Sequence, residues 1–184
     1  MTTTTRMTAE EYFALSVEHD WTQLVDGELV VNAPHLEHAL PQGKLFFALT
    51  TWTHAGSGRG MAFGPLDVII DEYNVFEPDV VWLREECLPD PLQGRLKGLP
   101  DLAVEVRSPS TWRFDLGKKK LAYERAGLPE LWLVDNAAAS VLVFRRSGPE
   151  ARVFDVALEL AGPEVLTSPL LSGFSVPVER LFRR

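Results

Sequence analysis

Pro100-Asp101-Leu102-Ala103-Val104-Glu105-Val106-Arg107-Ser108-Pro109-Ser110-Thr111 is an apolar run with one carboxylate near its end, broken by a polar turn. A continuous run of this kind reads as a strand buried on both faces, as in a parallel or mixed sheet. Glu105 is thus an acid where the pattern calls for core, and a buried charge must find a counter-charge. Asp79 opens a second such run, Val80-Val81-Trp82-Leu83. Two carboxylates brought together by neighbouring strands point to a metal ion between them.

Outward from this pair, the pattern alternates strands and helices. Thr8 and Glu11 have capping-box spacing, which predicts a short helix over about residues 8–18. Asp26-Gly27 between Leu24-Val25 and Leu29-Val30-Val31 predicts a tight hairpin. Apolar residues at helical spacing predict a long core helix from His35 to about Ala55, with Pro41 in its first turn or at a kink. Strands are predicted over Met61–Ile70, Asp79–Leu83 and Leu102–Val106, with a surface loop across Pro89, Pro91, Gly94, Gly98 and Pro100. A helix over Leu116–Arg125 is stopped by Gly127 and Pro129, and Leu131–Val134 reads as a central strand. Strands near Ser140–Phe144 and Arg152–Ala157 follow, with a helical turn over Val178–Phe182. The expected class is α/β or α+β, a mixed sheet with helices on its faces.

Composition sets the bounds. The 184 residues, 46% hydrophobic, suit one domain over 1–184 with a full core. A lone Cys87 allows no internal disulfide, no Cys/His cluster has zinc spacing, and no signal-peptide or membrane-length apolar stretch appears. A cytoplasmic protein without membrane attachment is expected. The net charge of -8 argues against a protein that coats nucleic acid, though an active site built of carboxylates is itself acidic. Lys118-Lys119-Lys120 is the basic cluster expected to guide a phosphate, with a solvated helix face as the alternative.

Metal-dependent phosphodiester hydrolysis needs carboxylates to hold the ion and a cation for developing negative charge. Asp79, Glu105 and a lysine meet that need, and the carbonyl of Val106 can complete the metal's ligands. Asp79 after Pro78 also suits a turn, and Glu105 also suits a core ion pair.

The chain resembles the Uma-type family of restriction-endonuclease-like proteins of the PD-(D/E)XK nuclease superfamily. The resemblance rests on Glu77-Pro78-Asp79-Val80-Val81, on Pro100 to Thr111, on Asp115, Lys119 and Tyr123 at four-residue steps, and on Gly127-Leu128-Pro129-Glu130-Leu131-Trp132-Leu133-Val134-Asp135. It implies a restriction endonuclease-like mixed β-sheet flanked by helices, and hydrolysis of DNA with Mg²⁺ or Mn²⁺. Asp79, Glu105 and Lys119 would be catalytic, with Asp79, Glu105 and Val106 on the metal. The superfamily lysine usually stands two residues after the glutamate, where this chain has Arg107. Here the role falls to Lys119, oriented by Asp115 on one helix face. His38 is expected to be a structural helix residue, with a general-base or phosphate-contacting role as the alternative. Where the family commonly has a glutamate three residues before the Asp-Gly turn, this chain has Gln23. That departure keeps open a non-catalytic binding or assembly module with an eroded site, beside a third reading in which the substrate is a small phosphorylated molecule or nucleotide. Aromatic supply and the runs Leu131–Val134 and Val141–Phe144 predict a homodimer.

Overall fold

The computed structural model describes residues 6–15, 21–32 and 35–183. The strand pairing follows from the apolar runs. β8 (Leu102–Val106) is buried at every position and pairs antiparallel with β6 (Val80–Leu83) and parallel with β9 (Glu130–Asp135). β10 (Ser140–Arg145), β11 (Val156–Ala161) and β3 (Met61–Phe63) complete a six-stranded mixed sheet in the order β11-β10-β9-β8-β6-β3. The parallel step from β8 to β9 is made by a helical crossover, as that connection requires.

Strand alternation divides the core between two faces. Val80, Trp82, Val104, Trp132, Val141 and Val143 pack on Leu45 and Leu49 of α2 (Leu36–His54). Ala103, Leu131 and Leu133 pack with Ala122 and Tyr123 of α4 (Lys120–Ala126). Glu105, two residues after Ala103, belongs to the α4 face.

A second, five-stranded sheet runs β2 (Glu28–Val31), β1 (Thr22–Val25), β5 (Asn74–Phe76), β4 (Val68–Asp71), β7 (Leu96–Lys97). Its first hairpin turns at Asp26 and Gly27, both at positive φ (55° and 75°), as the Asp-Gly pair predicts. α1 (Ala9–Ala14) carries the predicted capping box from Thr8 to Glu11, and ends before the expected boundary; residues 16–18 lie outside the described residues. Two short strands, β12 (Val165–Leu166) and β13 (Val176–Pro177), and α5 (Glu179–Phe182) close the chain.

Several expectations are corrected. The run Met61–Ile70 is two strands in different sheets, β3 and β4, parted around Gly64-Pro65, because the second sheet offers an alternative partner in β5. The loop over 89–100 contains β7, held parallel against β4. The strand placed at Arg152–Ala157 lies instead at Val156–Ala161, where the full length of β10 supplies its register. Pro41 sits in the second turn of an uninterrupted α2, and the Glu37 carbonyl that its missing N–H would have engaged accepts from Asn136 Nδ2 at 3.2 Å. The helix expected at Leu116–Arg125 starts earlier, with α3 (Trp112–Phe114), and passes through a π-helical turn over Asp115–Lys119 before α4. The runs Leu131–Val134 and Val141–Phe144, proposed as a self-association face, are core: Leu131, Trp132, Leu133, Val134, Val141 and Val143 are fully buried.

Candidate active site

Asp79 and Glu105 meet because β6 and β8 are antiparallel. Val80 stands opposite Val104, so one further step along the register brings Asp79 opposite Glu105 on the α4 face. The Asp79 N–H donates to the Val104 carbonyl at 2.9 Å, and the Val106 N–H donates to Asp79 Oδ2 at 2.6 Å. The carboxylate thus takes over the ladder bond beyond the last β6 pair. Asp79 Oδ1 lies 3.0 Å from His38 Nε2, and Gln42 Nε2 donates to the Asp79 carbonyl at 3.3 Å. Two residues one turn apart on α2 therefore fix Asp79 from the other side.

Glu105 Oε1 is held twice. Lys119 Nζ approaches it to 2.7 Å and the Tyr123 hydroxyl donates to it at 2.9 Å. Lys119 Nζ is also 3.1 Å from Asp115 Oδ1. Behind Asp115, Thr111 Oγ1 donates to Oδ2 at 3.2 Å and stands 2.7 Å from Ser108 Oγ. The polar segment Ser108–Thr111, which follows β8, is the back wall of the site. The π-helical turn lies between Asp115 and Lys119, and such turns recur at functional sites because they re-aim side chains.

The cluster is buried: Asp79, Glu105, Asp115 and Lys119 are 6%, 3%, 2% and 2% exposed. Burial, with the nearby charges of Asp115 and Asp79, outweighs the pull of Lys119 and pushes the Glu105 carboxyl up to about 8. Asp115 is raised for the same leading reason, burial. Burial works against the Lys119 ammonium, but the Glu105 and Asp115 carboxylates override it and hold that lysine above its ordinary value. For His38 burial again pulls down and Asp79, with the charge of Asp115, pulls up and prevails. Three carboxyl groups thus share one lysine and one histidine.

The residues expected at the site divide clearly. Asp79, Glu105, Lys119, Asp115 and Tyr123 come together. Val106 is adjacent, and its observed contact is the N–H given to Asp79. Arg107 is turned aside: its Nη1 donates to both Asp135 carboxylate oxygens at 2.9 Å, and its guanidinium lies over Trp112. The three lysines expected as one basic cluster stand in three different surroundings. Lys118 lies 3.4 Å from Asp26 and Glu28, Lys119 is buried, and Lys120 rests over Phe144. His38 is in contact with the site, which its isolated position in the sequence did not reveal. Gln23 is buried, with no hydrogen-bond partner for Oε1, two residues before Val25, whose cluster includes Phe76 and Tyr123. Among the described residues no three His, Cys, Asp or Glu side chains converge as a metal-binding group.

A family model described as Uma2, "Putative restriction endonuclease", matches residues 9–179. The chain belongs to the Uma2 family. A solved structure from Anabaena variabilis ATCC 29413, a "putative nuclease belonging to DUF820", shares its fold. It has TM-score 0.79 and 18% identity, covering 96% of this chain and 97% of that one. No curated protein matches. The fold is thus the mixed, helix-flanked sheet of the restriction endonuclease-like class. Among the described residues, no helix is long and apolar enough to cross a membrane.

Proposed function

We propose that the chain is a single nuclease domain over residues 1–184 that hydrolyses phosphodiester bonds in DNA with Mg²⁺ or Mn²⁺. The carrying observation is the buried pairing of Asp79 with Glu105, in a cluster where carboxylates outnumber their lysine. Such a cluster fits a hard divalent cation, whose preferred ligands are oxygens and whose remaining positions take water and phosphate. Asp79, Glu105 and the Val106 carbonyl would hold the ion, which when bound supplies Lewis acidity and lowers the pKa of water. Lys119, kept protonated by Glu105 and Asp115, offers its ammonium to the charge that develops on the phosphate. Tyr123 and Lys119 fix one oxygen of Glu105 and so orient the other.

A second reading is favoured by one observation. The buried amide of Gln23 stands where the family pattern has a glutamate, which suits a binding module that retains the fold without the chemistry. Calorimetric titration with Mn²⁺ separates the two. Binding by the wild type that is strongly weakened in both Asp79→Asn and Glu105→Gln supports the metal site; equal affinity in all three proteins sinks it. If the wild type binds Mn²⁺ yet cuts no DNA, Gln23→Glu should restore nicking. We also propose a cytoplasmic homodimer, with the outer edge of β11 offered for pairing, since β11 is the end strand of the six-stranded sheet. Light scattering giving a monomer mass at micromolar concentration would reject the dimer.

A further inference from the structure

The chain carries 26 acidic residues against 18 lysines and arginines, yet its basic residues are not evenly spent. Three hollows of about 720, 500 and 700 Å³ adjoin in series through shared lining residues, a row termed the trench. Trp52 and Arg59 belong to the first two; Arg84, Pro169 and Leu170 belong to the second and third. Along it stand Lys44, Arg180, Arg59, Arg84, Arg145 and Arg146. Among the described residues, the acids that line it are Glu86 and Glu130. Glu86 is 3.7 Å from Arg84, and Glu130 is buried and accepts from Trp132 and Ser168 at 2.6 Å each. Arg84 is also paired with Asp101 at 2.6 Å. The Lys44 and Arg146 side chains donate to backbone carbonyls, as does Arg59 Nη1, so the charges of these three are not cancelled there.

The trench is distinct from the carboxylate cluster. Asp79 precedes β6 and Arg84 follows it, while Glu130, paired with Leu102 and Arg145, marks the end of β8 and β9 remote from Glu105. About 13 Å of strand separates the two ends. We propose that this trench is a binding surface for a single nucleic-acid strand, acting apart from the metal. Cations spread along its whole length require an anion that repeats, which a single-headed amphiphile lacks. Five of the six are arginines, whose planar forks match phosphate. The 72%-exposed ring of Phe47 supplies a face for a base, while the neighbouring Trp52 is held by Arg59 over its ring and by edge contacts with Trp82 and Phe174. A second copy docking this face on itself would set like charges against one another.

The test is fluorescence anisotropy with a labelled single-stranded 20-mer in EDTA, so that metal-dependent cleavage plays no part. The expected result for the wild type is tight binding at about 50 mM salt with a log–log salt slope near -4, from roughly 0.7 per neutralised phosphate. The triple variant Arg59→Ala/Arg145→Ala/Arg180→Ala, with its fold checked by circular dichroism, should bind at least about tenfold more weakly and lose about 2 from that slope. Asp79→Asn should bind the strand as the wild type does, whatever it does to Mn²⁺, which keeps this inference separable from the nuclease reading. An unchanged slope in the triple variant overturns the proposal, as does absence of binding by the wild type. Displacement of the oligonucleotide by polyglutamate at equal charge concentration would also overturn it, in favour of an acidic protein partner.

Discussion

The carboxylate cluster and the part of the basic trench around Arg84 and Arg145 lie at opposite ends of β6, β8 and β9, and cluster and trench handle charge in opposite ways. In the cluster, ionic groups are almost wholly buried and locked by contacts between 2.6 and 3.1 Å. In the trench, cations are half-buried or exposed and most are not matched by acids. Buried charges interact strongly and must be placed accurately, so each has a named partner. Solvated charges act by their sum and tolerate looseness. Chemistry belongs with the first arrangement and capture of a polyanion with the second.

The largest effect should come from Lys119. Lys119→Ala removes the ammonium that lies between Glu105 and Asp115, and is expected to lower metal-dependent cleavage by about two to three orders of magnitude. It should also cost about 3–5 kcal/mol of stability, as breaking a buried pair does. Denaturant titration and plasmid nicking measure both. Adding Glu105→Gln should recover stability without recovering cleavage; recovery of both would show that Lys119 is only structural.

The pH dependence of the metal-free protein sharpens the same contrast. Glu105 is held above its ordinary 4.5, at about 8, so its neutral form is the one the fold prefers. Its contribution is therefore most favourable below 4.5 and is lost as the pH rises through about 8. Thermal unfolding in EDTA should show a midpoint that declines across that window, and Glu105→Gln should flatten the decline. A wild-type profile no steeper than that of the variant would contradict the buried-acid account.

Tyr123→Phe tests positioning. With one of two donors to Glu105 Oε1 removed, Mn²⁺ affinity should fall roughly tenfold, the lower range for a residue supporting a ligand. Calorimetry showing undiminished affinity would reduce the tyrosine to packing. The smallest effect belongs to Lys118, whose contacts at 3.4 Å are half-exposed. Lys118→Ala should change stability by less than about 0.5 kcal/mol, as surface pairs do. A loss above about 2 kcal/mol would mean that charge outside the cluster is organised as tightly as charge inside it.

The sequence determined a good deal by itself. Strands buried on both faces are written as unbroken apolar runs, so β6, β8 and β9 were legible, and an acid interrupting such a run advertises itself, as Glu105 does. The Asp26-Gly27 hairpin, the Thr8 capping box and the Gly127 helix stop are local chemistry, readable within a few residues. The Lys119 assignment came from resemblance, and helix spacing made it possible. What only the tertiary structure decided are matters of long-range partnership. Met61–Ile70 was divided because two sheets competed for it, and β11 took its register from β10. The isolated His38 met Asp79 across the fold. The conspicuous Lys118-Lys119-Lys120 dispersed to three environments, while the trench gathered cations from Lys44 to Arg180 that no local pattern connects. The physical reason is that backbone periodicity and turn chemistry act between near neighbours in the chain, whereas charge acts through space, and only the completed fold sets those distances.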